Sequence, residues 1–65
     1  MNIQIRKIWY NSAESAFEGR VDIRRNGCDF RYPCSVEGPM DMAPDDVMAR
    51  MRQQAAQMSD SALAQ

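Results

Sequence analysis

Hydrophobic and polar residues alternate at the start of the chain, where Ile3 and Ile5 lie between polar neighbours. A period of two is typical of a strand that buries one face. The pattern therefore predicts a first strand over residues 2–10, with Ile3 and Ile5 facing the core.

The second half of this strand allows two interpretations, because charged and apolar residues both follow Ile5. Strict alternation turns Trp9 inward together with Lys7. A bulge near Lys7 would instead turn Ile8 and Tyr10 inward. We favour the first interpretation, in which Trp9 faces the core.

The dipeptide Asn26-Gly27 predicts a tight hairpin, because both residues readily adopt the positive φ angles of a type I′ turn. Pairing residues outward from this turn gives a second strand over residues 17–25 and a third over residues 28–36. One face of the hairpin is then mostly apolar, with Ile23 opposite Phe30. The other face carries two pairs of opposite charge, Arg24 with Asp29 and Asp22 with Arg31.

Pro33 predicts the order of the strands. In a two-residue hairpin it lies opposite Arg20 at a rung without hydrogen bonds between the two strands, so its nitrogen points away from the second strand. Proline has no N–H to donate to a further strand. The third strand is therefore an edge, and the first strand, joined by a polar loop over residues 11–16, pairs with the second. The predicted order is 1-2-3, with Pro33 protecting one edge against unwanted pairing.

A period of three to four residues predicts a helix over residues 44–58. Pro44, Asp45 and Asp46 suit the unpaired amides and the positive dipole end of a first helical turn. Asp41 is the alternative cap if the helix begins one turn earlier. The apolar stripe comprises Val47, Met48, Met51, Ala55 and Met58. Residues 59–65 form a tail that either prolongs the helix or frays.

These elements predict an α+β fold, a three-stranded antiparallel β-meander in the order 1-2-3 with one C-terminal α-helix packed on its apolar face. Residues 1–58 form a single βββα domain. A chain of 65 residues buries only about 60% of the surface that it exposes when unfolded, so its core is small. The predicted core comprises Ile3, Ile5, Phe17, Val21, Ile23, Phe30, Tyr32, Val36, Val47, Met51 and Met58.

The spacing of the two cysteines along the predicted third strand indicates free thiols rather than a disulfide. Cys28 and Cys34 share one strand, which separates them by about 20 Å, whereas a disulfide needs Cα atoms within about 7 Å. We expect both thiols to pack on the core face. The chain has no histidine and no CxxC motif, so we expect no metal site. Free thiols suit a reducing compartment. With no signal peptide and no apolar run of membrane-spanning length in sight, we expect a cytoplasmic protein.

Catalytic chemistry is disfavoured by the composition. Without histidine the chain lacks the usual group for proton transfer near neutral pH, and it has no glycine-rich phosphate loop and no GxSxG motif. Arg25 opposite Cys28 could activate a thiol, but we expect the arginine to lie across the hairpin end with its charge in water. Asp41, Asp45 and Asp46 cap the helix start. We therefore expect no enzyme activity and no cofactor.

The leading functional prediction is a non-catalytic protein-interaction module, whose partner is another protein or a second copy of the chain. Domains of this size often depend on a partner subunit for stability, and the first strand forms an edge without a proline. The candidate contacts are Ile3 and Ile5 on that strand. Met40 and Met42 join them, because they precede the helix in a segment too short and too proline-bound to bury itself.

A weak nucleic-acid binder is the alternative prediction. The formal net charge is −1, yet residues 1–36 hold six basic and four acidic side chains, so one face of the sheet could be locally positive. The candidate contacts are Arg6, Lys7, Arg20 and Arg25. We expect Arg6 and Arg20 to be free of ion pairs on that face, while Arg25 could reach it around the hairpin end and Lys7 could join it if the first strand bulges. Single-strand binders also use stacked aromatic rings. The aromatic side chains expected to face the core, and so to count against this alternative, are Phe17, Phe30 and Tyr32.

Overall fold

Three antiparallel strands and one helix make up the fold. The structure is a computed structural model that describes the backbone of residues 2–63 and the side chains of residues 2–61. The elements are β1 (Asn2–Asn11), β2 (Ala16–Arg25), β3 (Cys28–Glu37) and α1 (Pro44–Leu63). The strands form an open sheet in the order β1-β2-β3, and α1 packs on one side of it. The predicted meander with a C-terminal helix is confirmed.

The hairpin between β2 and β3 has the predicted geometry. Asn26 and Gly27 have φ angles of 51° and 77°, and two consecutive positive values define a type I′ turn. The register from the turn outward pairs Ile23 with Phe30 and Arg20 with Pro33. Pro33 therefore lies on an edge strand, as predicted. We call the side of the sheet that α1 covers the inner face, and the opposite side the outer face.

β1 contains a bulge at Arg6. Ile5 pairs with Val21 and Lys7 pairs with Arg20, so Arg6 is an extra residue without a partner of its own on β2. A bulge of this kind shifts the inner and outer alternation by one position.

The expectation that Trp9 faces the core is therefore wrong. Trp9 lies on the outer face opposite Glu18, whereas Tyr10 lies on the inner face opposite Phe17. The rings of Tyr10 and Phe17 meet edge to face with centroids 4.8 Å apart. The bulge leaves the Lys7 ammonium group in water while Tyr10 is half-buried beside the core.

The core lies between the inner face and α1. Its buried members are Val21, Ile23, Cys34, Val36, Val47, Met51 and Ala55. The partly buried side chains that pack against them are Ile3, Ile5, Phe17, Tyr32, Met42 and Met58. Two core predictions are wrong, because Phe30 is 45% exposed and Cys28 is exposed as well. Both belong to the inner side of β3 near the hairpin turn, beyond the area that α1 covers.

Gly19 allows both the backbone of β1 and the helix α1 to lie close to β2. A Cβ atom at this position would lie 2.7 Å from the carbonyl oxygen of Lys7 and 3.0 Å from the Sδ atom of Met51. Such distances are shorter than van der Waals contact, so a larger residue would displace the strand or the helix. The helix packs mainly on β2 and β3 and least on β1.

The helix begins at Pro44. The carbonyl of Ala43 accepts hydrogen bonds from the amides of Asp46 and Val47 at 3.0 and 3.1 Å, which closes the first turn. The alternative of an earlier start capped by Asp41 is not observed.

The far end of α1 extends beyond the predicted boundary at Met58. The helix continues through Leu63, and Ser59 is buried, so the first part of the predicted tail prolongs the helix. The remaining tail residues, 64–65, and the predicted domain start at residue 1 lie outside the described residues.

Candidate functional site

The outer edge of β3 is closed against further strands. Pro33 has no N–H to offer there. Two residues along, the side chain of Gln54 on α1 takes the place of a neighbouring strand. Its Oε1 accepts a hydrogen bond from the Ser35 amide at 2.7 Å, and its Nε2 donates to the Ser35 carbonyl at 2.9 Å. A proline and a side-chain clamp thus guard the same edge.

The outer edge of β1 has no such guard in the part of the chain that the structure describes. Val21 pairs with Tyr32 at a rung that is hydrogen-bonded when counted outward from the turn, so its backbone groups face β3. Ile5 and Ile3 lie opposite Val21 and Ile23. Because the backbone groups of Val21 and Ile23 already face β3, these two rungs of the β1–β2 pair have no hydrogen bonds, and the amide and carbonyl groups of Ile5 and Ile3 point away from β2. They present a template for another strand.

An incompletely covered apolar strip borders this open edge. Ile3 and Ile5 are only partly buried, and Ile8 is 37% exposed, because α1 lies nearer to β3 than to β1. The predicted contacts Ile3 and Ile5 thus lie together at an unpaired edge.

Met40 and Met42, the other predicted contacts, lie elsewhere. Met40 is 67% exposed, whereas Met42 packs against the core. With Ile8 they border an apolar depression of about 250 Å³ beside the start of α1. The structure therefore brings the two methionines to Ile8 rather than to Ile3 and Ile5.

Ion pairs occupy the middle of the outer face. Asp22 binds the Nε atoms of Arg6 and Arg31 at 2.9 and 3.0 Å, and Arg24 pairs with Asp29 at 3.4 Å. The hydrogen bond from Arg31 and then that from Arg6 hold the pKa of the Asp22 carboxyl below its usual value of 3.8. Both predicted cross-strand pairs are confirmed. The expectation that Arg6 is free of ion pairs is wrong, because the bulge brings it to Asp22.

Arg25 does not reach the outer face, so the fourth predicted nucleic-acid contact is misplaced. It follows Ile23 on the inner side of β2, and its Nη2 atom pairs with the Asp60 carboxylate on α1 at 2.8 Å. The continuation of the helix past its predicted end supplies this carboxylate. Arg25 consequently ties the hairpin end to the helix.

Lys7 and Arg20 face each other across β1 and β2 on the outer face. Neither makes an ion pair with another described residue. Trp9 lies two rungs away on the same face, with its Nε1 donating to Glu18 Oε1 at 2.8 Å and the Lys7 Nζ atom 5.7 Å from its ring centroid. Reasoning from the sequence missed Trp9 as a surface residue. The signal that could have identified it was the bulge interpretation.

The remaining candidate groups for chemistry are the two thiols. Cys34 is buried, and this burial raises the pKa of its thiol, whereas Cys28 is exposed. Within the described residues, no group of three potential metal-ligating side chains is close enough to hold an ion. No helix in that same range has both the length and the apolar character needed to cross a membrane.

Comparisons of the chain with models of known protein families, with curated proteins and with solved structures find no match. The two surfaces with a distinctive arrangement are the open β1 edge and the Lys7, Arg20 and Trp9 cluster on the outer face.

Proposed function

We propose that this chain is a protein-interaction module that binds a second copy of itself through the open edge of β1. The observation that carries the proposal is the difference between the two edges of one sheet. Pro33 and Gln54 close the edge of β3, while the backbone groups of Ile3 and Ile5 on β1 have no partner among the described residues. A sheet with one protected edge and one open edge is the arrangement expected when strand pairing serves a function at the open edge and is prevented at the other.

The bulge at Arg6 limits how two β1 strands can pair. It divides the edge into a half over residues 2–5 and a half over residues 7–11. In the second half, the side chains of Trp9, Tyr10 and Asn11 are already hydrogen-bonded within the chain. The first half makes no side-chain hydrogen bond with another described residue, and we place the contact there.

An antiparallel pairing centred on Gln4 satisfies the backbone of both copies. Ile3 of each copy then lies opposite Ile5 of the other at a hydrogen-bonded rung. Gln4 lies opposite its own counterpart on the outer face, and Asn2 lies opposite Arg6. No like charges meet in this register, whereas pairing Ile5 with Ile8 would bring Arg6 opposite Lys7.

This contact is small, and the dimer it forms is weak. Short strand pairing buries less than the roughly 1,200 Å² of a standard interface. Its free energy comes from two doubly hydrogen-bonded rungs and from covering the remaining exposed surface of the partly buried Ile3 and Ile5 side chains. Association should therefore depend strongly on concentration and stabilise the fold as it rises.

Sedimentation and thermal unfolding over a dilution series from about 1 mM to about 1 µM test the proposal. We expect dimer mass and a higher Tm at the concentrated end. Ile3→Pro removes the outward N–H without touching the β1–β2 hydrogen bonds and should abolish dimerisation. The matched variant Ile3→Ala shortens the same side chain but keeps the N–H, and should dimerise measurably. Monomer mass with a constant Tm throughout contradicts the proposal.

Cross-linking tests the register separately. In a Cys28→Ser background, Gln4→Cys places two thiols at a rung without hydrogen bonds, where Cα atoms lie about 4.5 Å apart and a disulfide can form. We expect rapid oxidation to a covalent dimer. Arg52→Cys on the exposed surface of α1 is the control for chance collision. Cross-linking through Trp9→Cys but not through Gln4→Cys would show that the other half of the edge is used.

A further inference from the structure

We propose that the outer face of the sheet carries a binding site for single-stranded nucleic acid, formed by Lys7, Arg20 and Trp9. This site is separate from the open β1 edge and does not depend on dimerisation. Its first support is the rung that joins Lys7 to Arg20. Like charges directly opposite each other destabilise a sheet, and these two make no ion pair with any other described residue. An anionic ligand would remove the repulsion.

The nearby carboxylates are engaged by other groups. Asp22 is held by two arginines, and Glu18 accepts hydrogen bonds from Trp9 Nε1 at 2.8 Å and from Asn11 Nδ2 at 3.3 Å. A shallow depression of about 730 Å³ on the outer face is lined by more basic than acidic side chains. Its charged lining residues are Arg6, Lys7, Arg20, Arg31, Asp22 and Asp29. The surface around Lys7 and Arg20 therefore attracts anions although the whole chain is slightly acidic.

Trp9 supplies the aromatic surface that a strand of bases requires. Trp9 is 38% exposed, and its indole is oriented by the hydrogen bond to Glu18. A second shallow depression, of about 470 Å³, is lined by Trp9, Pro33 and Arg20 among others. Arg20 thus borders both depressions, so a phosphate bound by Arg20 and Lys7 would carry its base toward the Trp9 ring.

The distribution of charge favours nucleic acid over an acidic peptide. The Glu18 carboxylate beside Trp9 repels a phosphate or carboxylate from the indole ring. The group that stacks on the ring is therefore an uncharged, flat one, such as a base. Unpaired bases offer their faces to aromatic side chains, and such stacking tolerates any sequence. A duplex buries those faces, and a chain of acidic residues alone has no flat group to stack on the Trp9 ring.

Fluorescence titration with a short oligothymidylate tests the site directly, because Trp9 is the sole tryptophan of the chain. We expect quenching on binding at low salt. Trp9→Leu should bind a labelled oligonucleotide at least about fivefold more weakly, while Trp9→Phe should retain more of the affinity. Both variants lose the hydrogen bond to Glu18, so their difference isolates the aromatic ring.

Arg20→Gln tests the phosphate contact. The variant should weaken binding and reduce the slope of log affinity against log salt by about 0.7. Its Tm should not fall, since the repulsion from Lys7 is gone, so weaker binding cannot be attributed to unfolding. Arg52→Gln, on the opposite side of the molecule on α1, is the matched control and should leave affinity and slope unchanged.

Three results would overturn the proposal. The first is no binding at low salt. The second is equal loss of affinity in Arg20→Gln and Arg52→Gln, which would show general charge attraction. The third is binding of polyglutamate or polyphosphate as tightly as the oligonucleotide, which would remove any role for the bases.

Discussion

Replacing Gln54 by alanine should destabilise the fold through the edge of β3. The substitution removes both hydrogen bonds to Ser35, of 2.7 and 2.9 Å. Each such bond contributes about 0.5–1.5 kcal/mol net, and because the clamp is accessible to water we take the lower half of that range. The expected loss of unfolding free energy is about 1–2 kcal/mol, which for a domain of this size lowers the Tm by roughly 4–15 °C.

Gln53→Ala is the matched control for this measurement. Gln53 precedes Gln54 on the same helix, is exposed and makes no side-chain hydrogen bond with a described residue. Both substitutions change helix propensity equally, so their difference measures the clamp alone. Thermal and urea unfolding followed by circular dichroism, at a concentration where the chain is monomeric, give the two values. Equal stability of the two variants would refute the clamp.

The same substitution should also change association. Without Gln54, the Ser35 amide and carbonyl are free to accept another strand on the side that was closed. We expect more light scattering from Gln54→Ala than from Gln53→Ala at the same concentration and temperature. No difference in scattering would contradict the view that Gln54 protects this edge.

Three further predictions follow from packing and charge. Gly19→Ala should cost about 1–3 kcal/mol of unfolding free energy, because its Cβ would lie 2.7 Å from the backbone carbonyl oxygen of Lys7 and force β1 and β2 apart, whereas Gly38→Ala, whose Cβ would meet only the flexible Met42 side chain, should cost less in the same urea titration. The lowered pKa of Asp22 means that its ion pairs stabilise the fold above pH 3.8 and that this contribution is lost as pH falls through the folded-state value. Wild type should therefore lose more stability than Asp22→Asn between neutral and strongly acidic pH, and parallel curves would exclude the effect. A thiol reagent should modify Cys28 in the folded protein but reach Cys34 only on unfolding, and equal rates for the two would contradict the buried position of Cys34.

The hairpin and the edge position of Pro33 could be predicted from local sequence. Asn26-Gly27 sets a two-residue turn because both residues tolerate positive φ, and that turn fixes the partner of every residue in β2 and β3. Proline cannot donate to a neighbouring strand, so the edge position of Pro33 followed from the register. The period of the helical stripe identified α1 in the same way, although not its last residue.

The candidate sites were less predictable. The bulge in β1 was not determined by alternation, because Trp9 and Tyr10 are both large aromatic residues, and only the tertiary structure shows that Tyr10 packs against Phe17. The bulge moved Trp9 to the outer face and brought Arg6 to Asp22. The alternation of apolar and polar residues along β1 is compatible with both a regular strand and a bulged one.

By itself, the sequence determined the turn, the register of the β2–β3 hairpin and the order of the sheet, because these depend on backbone preferences of single residues and on a period of two. The tertiary structure decided where α1 lies across the sheet. Gly19 admits Met51, Gln54 reaches Ser35, and Arg25 meets Asp60, and these contacts join residues far apart in the chain. Because they hold the helix on β2 and β3, the β1 side of the sheet is covered least, while Cys28 and Phe30, at the hairpin end of β3, remain exposed.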